Sequence, residues 1–561
     1  MPPRHVIEGV RYRPSSERNF HVASGDWIDC TAGEMLRRAA LREPDKVAVV
    51  GHDRDLRFRE LDDASECVAA GLIGIGLRPG DRAVFQLGTV TEFFVAFYAC
   101  FKAGIVPVAT LPQFREIEME ALATRAGAKA YFVQADVAPG FDQLGFARRL
   151  RDRVPSLAHM IVVRGAAGDG EHAMLELQRA RGAAQAREIV RPHDPDPEDV
   201  AIFQMSGGST GLPKIIPRFH AEYLGSAAAI CRRWELTSDD KAMWTLPLIH
   251  NAGVLIAVLP MAIDCRTTIV LPRFDAREFL ETAARRRVTF SGSIGPVAPR
   301  LLEFENPRQF DLSALRQLFT LSRSDAVEAH LQLATHNMFG ITEGLLMGSA
   351  PSDTPTARYE TVGWPASRAD DVKLFEPGAE RVVAAGEVGE LCFRGPHTLT
   401  GYFGDDAATA ASFTRDGYFR TGDLAIARHL NGRTYYSFAG RFKDNINRGG
   451  EKIGAEEVEV LVAAHPAVAD VRVVAMPDKH YGEKVCAYII LRPGHTLPTL
   501  AELGAFLGEK GLAKYKTPER IEAIDAFPVT QVGKVDKVRM RQMIADKIAA
   551  EAGVSNGKAP G

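Results

Sequence analysis

The chain has few cysteines, no closely spaced cysteine pair and no long uninterrupted apolar run. Its seven scattered cysteines exclude a C-x-x-C redox or zinc motif and give no disulfide framework. Scattered thiols in a large chain are typical of buried packing residues in a reducing compartment, so we expect a cytoplasmic protein. The segment 1–9, Met-Pro-Pro-Arg-His-Val-Ile-Glu-Gly, lacks the apolar run typical of a secretory signal, and the most apolar stretch, 246–263, is interrupted by His250, Asn251, Gly253 and Pro260. That stretch is typical of a core segment rather than a membrane span.

An excess of charge of either sign is also missing. The chain has 68 Lys and Arg against 71 Asp and Glu, which gives a formal net charge of −3. This balance gives no reason to expect nucleic acid or an anionic membrane as the main partner. At 561 residues and 46% hydrophobic composition, the chain is long enough for one large core and a second, smaller domain.

The order of apolar segments predicts an α/β fold. Strand-like runs at 47–50, 83–87, 106–109 and 130–133 alternate with segments of helical period, which indicates parallel-rich sheets covered by helices. Two stretches, 165–185 and 191–198, have the composition of connections. From about Val382 shorter strands and hairpins predict a small barrel-like region. We predict an N-terminal domain over 1–440, a mobile α+β domain over 441–552 and a disordered tail over 553–561.

The segment Met205–Lys214 reads Met-Ser-Gly-Gly-Ser-Thr-Gly-Leu-Pro-Lys and follows a short apolar strand at 200–204. Glycines allow the backbone to approach a ligand closely, and hydroxyls and a lysine add donors, so this loop suits a polyphosphate. It is not a Walker A loop, because Leu212 and Pro213 separate the last glycine from Lys214. The alternative is a flexible surface turn with an incidental lysine.

The full string resembles the phosphate loop of the adenylate-forming superfamily, which contains acyl-CoA synthetases, nonribosomal adenylation domains and firefly luciferase. The resemblance implies that ATP is a cofactor and that the loop clamps its β- and γ-phosphates. The residues that it assigns to this loop are Ser206, Gly207, Gly208, Ser209, Thr210, Gly211 and Lys214.

Further stretches match the superfamily in its own order. Residues 337–344, Asn-Met-Phe-Gly-Ile-Thr-Glu-Gly, resemble the motif whose aromatic residue flanks the adenine. The resemblance places Phe339 and Gly340 beside the adenine, Thr342 near phosphate and Glu343 on Mg²⁺, for which an oxygen ligand is chemically apt. Residues 418–424 resemble the ribose motif, in which Asp423 accepts bonds from the two ribose hydroxyls.

The last two motifs lie in the predicted mobile domain and its border. Residues 440–451 resemble the inter-domain hinge, with Arg441 near ribose or phosphate and Lys443 at the bend. In this resemblance Gly449 and Gly450 lie where the backbone passes close to an incoming thiol arm. Residues 533–537, Gly-Lys-Val-Asp-Lys, resemble the closing motif, whose first lysine, Lys534, bridges the substrate carboxylate and the α-phosphate.

Residues 446–453 and the pair His250-Asn251 most resemble the aryl-acid branch, the ligases for 2,3-dihydroxybenzoate and salicylate. This resemblance places Asn251 beside an ortho hydroxyl of the ring, whereas the alternative is an asparagine that only caps its own helix. The sequence departs from the branch at 252–256, which carries no side-chain hydroxyl, and at 321–324, where a Gly-rich patch is usual. An apolar wall without a partner for a 3-hydroxyl favours salicylate-like acids.

The expected activity is a two-step ligation. An aryl acid attacks the α-phosphate of ATP with Mg²⁺, and the acyl-adenylate then passes its acyl group to the thiol of CoA or of a carrier protein's pantetheine, as in siderophore or other secondary-metabolite synthesis. In the first step, Lys214 and Lys534 would stabilise the negative charge that builds on oxygen, and Glu343 would hold the Mg²⁺. The alternatives are a fatty or other carboxylic acid–CoA ligase and a degenerate homologue that binds nucleotide without turnover.

Overall fold

The computed structural model describes residues 3–206, 213–294, 297–321, 324–441, 445–528 and 535–555. Short 3₁₀ turns lie at Arg191–His193, Pro307–Gln309 and Lys514–Lys516, and a π-helical segment lies at Val254–Val258. Within the described ranges the α-helices are α1 (Ser15–Ala23), α2 (Ala32–Arg42), α3 (Phe58–Gly74), α4 (Thr91–Lys102), α5 (Glu116–Ala126), α6 (Gln143–Arg153), α7 (Met174–Arg179), α8 (Ala183–Val190), α9 (His220–Arg233), α10 (Asn251–Gly253), α11 (Leu259–Asp264), α12 (Ala276–Arg286), α13 (Val297–Leu302), α14 (Ser324–Leu331), α15 (Pro355–Glu360), α16 (Asp406–Ala411), α17 (Ala455–Ala463), α18 (Leu500–Glu509) and α19 (Lys537–Ser555).

The strands are mostly short in the first two thirds of the chain and longer afterwards. In the same described ranges they are β1 (Val47–Val50), β2 (Asp55–Arg57), β3 (Arg82–Gln86), β4 (Val106–Val108), β5 (Ala128–Gln134), β6 (His159–Val163), β7 (His172–Ala173), β8 (Val200–Ser206), β9 (Lys214–Phe219), β10 (Lys241–Trp244), β11 (Thr267–Val270), β12 (Phe290–Gly292), β13 (Gln317–Thr320), β14 (Ala334–Gly340), β15 (Leu346–Gly348), β16 (Trp364–Pro365), β17 (Asp371–Phe375), β18 (Val388–Arg394), β19 (Phe419–Leu430), β20 (Arg433–Arg441), β21 (Asn445–Arg448), β22 (Glu451–Gly454), β23 (Val468–Asp478), β24 (Gly482–Leu491) and β25 (Arg520–Ala523).

Two large sheets form the body of the molecule. One has the order β7-β6-β5-β3-β4-β8-β9 and is parallel except for the edge strand β9. The other has the order β16-β15-β14-β13-β12-β10-β11-β1-β2 and is parallel from β14 to β1. The predicted α/β class with parallel-rich sheets is therefore confirmed. Apolar helices such as α4, which is buried along its whole length, fill the space between the sheets and join them into one continuous core.

The remaining strands form two antiparallel-rich sheets. Strands β17-β18-β19-β20 follow one another as a meander at the place where the sequence predicts a barrel-like region. Strands β22-β21-β24-β23, with β25 beside β24, pack against α17 and α18 around a separate apolar cluster. The final helix α19 covers another small cluster and extends to Ser555, three residues into the segment predicted to be disordered.

The segment 165–185 differs from the connection that its composition predicts. It contains α7 and the start of α8, which both lie on α3. Gly71 brings the backbone of α3 close to Leu177, and the Cys67 thiol donates to the Arg181 carbonyl at 3.3 Å. Because tertiary packing on α3 stabilises these short helices, the local composition alone does not reveal them.

The cysteines are all buried and unpaired, as their scattered positions predict. In the described ranges, no helix has both the length and the apolar character needed to cross a bilayer.

Candidate active site

The ends of β8 and β9 frame the predicted phosphate loop. The two strands are antiparallel and Ser206 lies opposite Lys214. The Ser206 hydroxyl donates to Oε1 of Glu343 at 2.6 Å, and Tyr402 donates to the same oxygen at 3.3 Å. Lys214 Nζ lies 4.3 Å from the centre of the Tyr402 ring. Two predicted motifs thus meet here: Ser206 of the phosphate loop binds the buried Glu343 carboxylate of the second motif, and Lys214 lies over the ring of the tyrosine that binds the same carboxylate.

A buried arginine fixes the turn that carries Glu343. Arg218, at the end of β9, donates to the carbonyls of Thr342 and His397, both at 3.0 Å, and forms an ion pair with Glu222. Gly344 has φ +127°, and a Cβ there would lie 1.8 Å from the His397 carbonyl oxygen. The turn therefore requires glycine at this position, and Arg218 holds it through the two carbonyls.

The main cavity of the site has a volume of about 180 Å³ and is lined by the nine-stranded sheet at β14 and β15, by the segment that begins at α10, by β19 and β20, and by the β21–β22 hairpin. It brings together predicted residues from the adenine, ribose and acid motifs, namely Phe339, Gly340, Thr342, Asp423, His250 and Asn251. Asp423 is buried on β19, where its backbone pairs with Arg441 of β20. One concave, partly apolar cavity that holds a few converging polar groups is the usual form of a small-molecule site.

Asn251 lies at the wall of this cavity and begins α10. The N-cap of α10 is His250, whose Nδ1 accepts from the Ala252 N–H at 3.3 Å. The Asn251 side chain accepts instead from the Tyr223 hydroxyl at 2.7 Å. The alternative in which Asn251 only caps its own helix therefore does not describe this side chain. The rest of this wall, Ala252, Leu255 and Ile256, is apolar.

The hairpin of β21 and β22 enters the same cavity. Its turn consists of Gly449 and Gly450, with φ +62° and +98°, and two positive φ angles are what a tight two-residue hairpin turn requires. The Gly450 N–H donates to Oδ1 of Asn447 at 3.1 Å, and Asn447 and Gly450 line the cavity. A Cβ on Gly450 would lie 2.8 Å from Cγ2 of Ile294, so a side chain there would be crowded.

A second cavity, of about 80 Å³, meets the first at the hairpin tip. His250, Thr342 and Gly450 line both. The second cavity continues between the N-terminal and C-terminal parts of the chain. Leu111 and Phe114 line it on the N-terminal side, and Tyr515 and Lys516 line it on the C-terminal side. The two cavities thus form one path that runs from the junction of the two parts to the Asn251 wall.

Polar contacts hold the two parts together beside this path. Gln113 donates to Oε1 of Glu451 at 2.8 Å. Lys516 pairs with Glu118 of α5 at 3.1 Å and with Glu457 of α17 at 2.8 Å. Burial raises the pKa of the Glu451 carboxyl to about 7, although the Gln113 bond and the nearby Lys516 and Arg448 charges act to lower it.

Some predicted residues lie outside the described part of the chain. They are Gly207, Gly208, Ser209, Thr210, Gly211, Lys443 and Lys534. Arg441 is described only by its backbone pairing with Asp423.

Other site residues were not predicted. Tyr402, Gln204, Tyr223 and Arg218 lie in stretches that match no motif considered above. Gln204 and Arg218 carry a signal in the sequence, because each is a buried polar residue in a short strand that is mostly apolar, where a polar group needs a partner.

Comparison with known proteins agrees with this arrangement. The profile of the AMP-binding enzyme family matches residues 36–403, and that of the AMP-binding enzyme C-terminal domain matches residues 457–534. The chain belongs to the AMP-binding enzyme family.

Similar proteins of this family include aryl-acid ligases along nearly the whole chain. The 2,3-dihydroxybenzoate-AMP ligase of Bacillus subtilis is 35% identical over 97% of this chain and 99% of its own length. The salicyl-AMP ligase / salicyl-S-ArCP synthetase of Mycobacterium tuberculosis is 34% identical over 93% of this chain and 92% of its own. The apo structure of Mycobacterium smegmatis MbtA is 32% identical, with a TM-score of 0.71 over 95% of this chain and 98% of that one. The predicted aryl-acid branch is confirmed, and this AMP-binding enzyme is a ligase that uses ATP to form an adenylate.

Proposed function

We propose that this enzyme activates a salicylate- or 2,3-dihydroxybenzoate-like acid to an aryl-adenylate and transfers the aryl group to a thiol. The observation that carries the proposal is the main cavity of the site, which joins Asn251 at an apolar wall to Phe339 and Asp423. Because the acid and nucleotide motifs meet in one cavity, an acid bound at the wall would lie close to the phosphates of a nucleotide held at Asp423.

In the first step, the protein positions the reactants and offsets negative charge. Asp423 would accept bonds from the ribose diol, and Phe339 and Gly340 would border the adenine. Lys214, and Lys534 from the mobile domain, would place positive charge where oxygen charge builds at the phosphates and carboxylate. Thr342 and the loop residues 207–211 would add hydrogen-bond donors to the phosphates.

Mg²⁺ fits the residues present. Glu343 is buried, and one of its oxygens already accepts from Ser206 and Tyr402, so it is held as an oriented carboxylate. In the described ranges, no group of three His, Cys, Asp or Glu side chains forms a cation cage. A single carboxylate that shares the ion with substrate phosphates is the usual arrangement for Mg²⁺, which would stabilise charge on those phosphates.

In the second step, the thiol would arrive through the second cavity. Gly450 is common to both cavities, so an extended arm that enters between Phe114 and Tyr515 would reach the acyl carbon at the hairpin tip. A phosphopantetheine arm on a carrier protein or on CoA is the expected acceptor. Gly450, which the resemblance assigns to the approach of the thiol, lines both cavities, and this supports an orientation suited to thiol transfer. The hinge at Lys443 and the domain boundary after Gly440 are part of this proposal.

The apolar wall at Ala252, Leu255 and Ile256 bears on the choice of acid. It offers no hydroxyl to a 3-hydroxyl on the ring, and an unpaired polar group would cost binding. Salicylate is therefore the better candidate and 2,3-dihydroxybenzoate the weaker one.

ATP–pyrophosphate exchange with a panel of acids tests the proposal. We expect the highest kcat/KM for salicylate, a lower value for 2,3-dihydroxybenzoate and benzoate, and none for a medium-chain fatty acid. Asn251→Ala should remove the preference of salicylate over benzoate. Equal rates with benzoate and salicylate in the parent protein would contradict the proposed aryl pocket. A preference for the fatty acid would support the alternative of a fatty acid–CoA ligase. The absence of exchange with every acid would indicate a homologue that binds nucleotide without turnover.

A further inference from the structure

A chain of three buried hydrogen-bonding side chains ends at the acid wall. Gln204 Nε2 lies 3.3 Å from the Ile249 carbonyl oxygen and 3.1 Å from the Tyr223 hydroxyl. The Tyr223 hydroxyl lies 2.7 Å from Asn251 Oδ1. Gln204 and Tyr223 line no part of the acid wall themselves, and both are almost fully buried.

The direction of every bond in this chain follows from its first member. A backbone carbonyl only accepts, so the Gln204 atom beside Ile249 must be the amide nitrogen. That nitrogen also donates to the Tyr223 oxygen, which leaves the phenol hydrogen for the next partner. Burial raises the pKa of Tyr223 well above its usual value, so the phenol keeps this hydrogen.

The phenol hydrogen then decides the orientation of the Asn251 amide. Among the described residues, Tyr223 bonds only to Gln204 and Asn251, so its hydrogen needs the Asn251 oxygen. The reversed amide would bring nitrogen to the phenol and leave the buried hydrogen without an acceptor, which is costly. With its oxygen held in this way, Asn251 directs its NH₂ group toward the cavity.

We propose that Tyr223 is a positioning residue that fixes Asn251 as a hydrogen-bond donor, and that the site therefore selects acids whose ortho group presents an acceptor. The inference rests on the proposed aryl-acid function and deepens it. Salicylate and anthranilate test it, because they differ only in OH against NH₂. In salicylate the phenol hydrogen bonds to the molecule's own carboxylate, and the oxygen is left as an acceptor. In anthranilate one N–H does the same, and the second N–H points outward and meets the Asn251 NH₂ group.

The experiment measures kcat/KM for exchange with salicylate, anthranilate and benzoate in the parent protein and in Tyr223→Phe. In the parent we expect salicylate to exceed anthranilate by about 10- to 100-fold, the effect of one opposed donor pair in a buried site. In Tyr223→Phe the amide can turn to suit either acid, so this ratio should fall to within about threefold. Salicylate should still exceed benzoate, since Asn251 remains.

Tyr98→Phe is the matched control. Tyr98 is also fully buried, and its hydroxyl donates to the Val258 carbonyl at 2.9 Å at the far end of the π-helical segment, so the variant loses a comparable bond without touching Asn251. Its salicylate-to-anthranilate ratio should equal that of the parent, and melting curves of both variants report the loss of stability separately.

The outcomes separate the inference from the proposed function. Damage to folding alone would lower the rates with all acids and leave the ratio unchanged in Tyr223→Phe, which overturns the positioning role. If the parent protein uses salicylate and anthranilate equally, the assignment of Asn251 as a donor is wrong, and this result does not depend on whether Tyr223→Phe folds. If both acids are still preferred over benzoate, the proposed aryl pocket remains supported. Absence of exchange with every aryl acid overturns the proposed function and the inference with it.

Discussion

The contact between Glu451 and Gln113 predicts that docking of the C-terminal part depends on pH. The Glu451 carboxyl has an ordinary pKa of 4.5 and a pKa of about 7 where it is buried beside Gln113. The raised value means that the docked state favours the protonated carboxyl. The contribution of the protonated Glu451 carboxyl to docking is fully present below pH 4.5 and is lost as the pH rises through 7.

The size of the effect follows from this shift. One pKa unit corresponds to about 1.4 kcal/mol, so the full shift sets an upper limit of about 3 kcal/mol. Glu451 is only partly buried by surface area, and the hairpin can admit water when the carboxyl ionises, so we expect about 1–2 kcal/mol. That corresponds to a change of about 5- to 30-fold in the docking equilibrium between pH 5 and pH 8.

Energy transfer between two dyes measures docking directly. Leu41 and Val460 are 84% and 71% exposed and lie on opposite parts, and the native cysteines are buried, so Leu41→Cys and Val460→Cys can be labelled selectively. The transfer efficiency should change between pH 5 and 8 in this background and stay constant once Glu451→Gln is added, because the amide keeps the shape of the carboxyl and does not titrate. Lys516→Met is the control: it should weaken docking at every pH, and because the lysine charge lowers the Glu451 pKa, the pH response should move to higher pH rather than disappear. An equal pH response with glutamate and glutamine at 451 would refute the reasoning.

Three other predictions concern the site. Asp423→Ala should raise the KM for ATP by about 10- to 100-fold and that for the acid much less, as expected for loss of a charge-assisted bond to a diol; an unchanged ATP KM contradicts the ribose role. Lys534→Ala should slow adenylate formation but transfer the aryl group from synthetic aryl-adenylate to a thiol at a near-parent rate, and Gly450→Leu should do the opposite, with melting curves as the control for folding. Loss of both half-reactions in both folded variants contradicts alternating domains. Arg218→Met should lower the free energy of unfolding by about 3–5 kcal/mol in denaturant titration, because Glu222 is left as a buried unpaired charge, and Arg218→Met with Glu222→Gln should recover part of that loss.

The parts of the fold that the sequence predicts are those whose local pattern and tertiary environment agree. The run at 47–50 is apolar and β-branched, and it is strand β1 in the parallel core of the nine-stranded sheet. Helix α2 begins directly after Thr31, whose side chain accepts from the Glu34 N–H, and a threonine followed by glutamate three residues later is a local pattern that favours a helix start. Helices α7 and α8 were missed because their few buried side chains, among them Met174 and Val190, are stabilised by α3 rather than by their own sequence.

The same distinction applies to the site. Glu343, Asp423 and Asn251 each lie within a contiguous motif, so the resemblance to a family located them. The partners that orient them come from distant segments: Tyr402 reaches Glu343 from 59 positions away, and Tyr223 reaches Asn251 from 28. Such pairs have no spacing that a single sequence reveals, since only the fold brings them together.

The β21–β22 hairpin links domain docking to the acid site in a way that neither sequence nor motif indicates. Asn447 lines the main cavity and accepts from the Gly450 N–H, while the next strand begins with Glu451, which binds Gln113. Because the tip and the interface belong to one short hairpin, ionisation of Glu451 that loosens docking must also move Asn447 and Gly450 away from the cavity. The pH change that weakens docking should therefore open the acid site on the side where the thiol arrives, and the thiol-transfer step should lose more rate than adenylation.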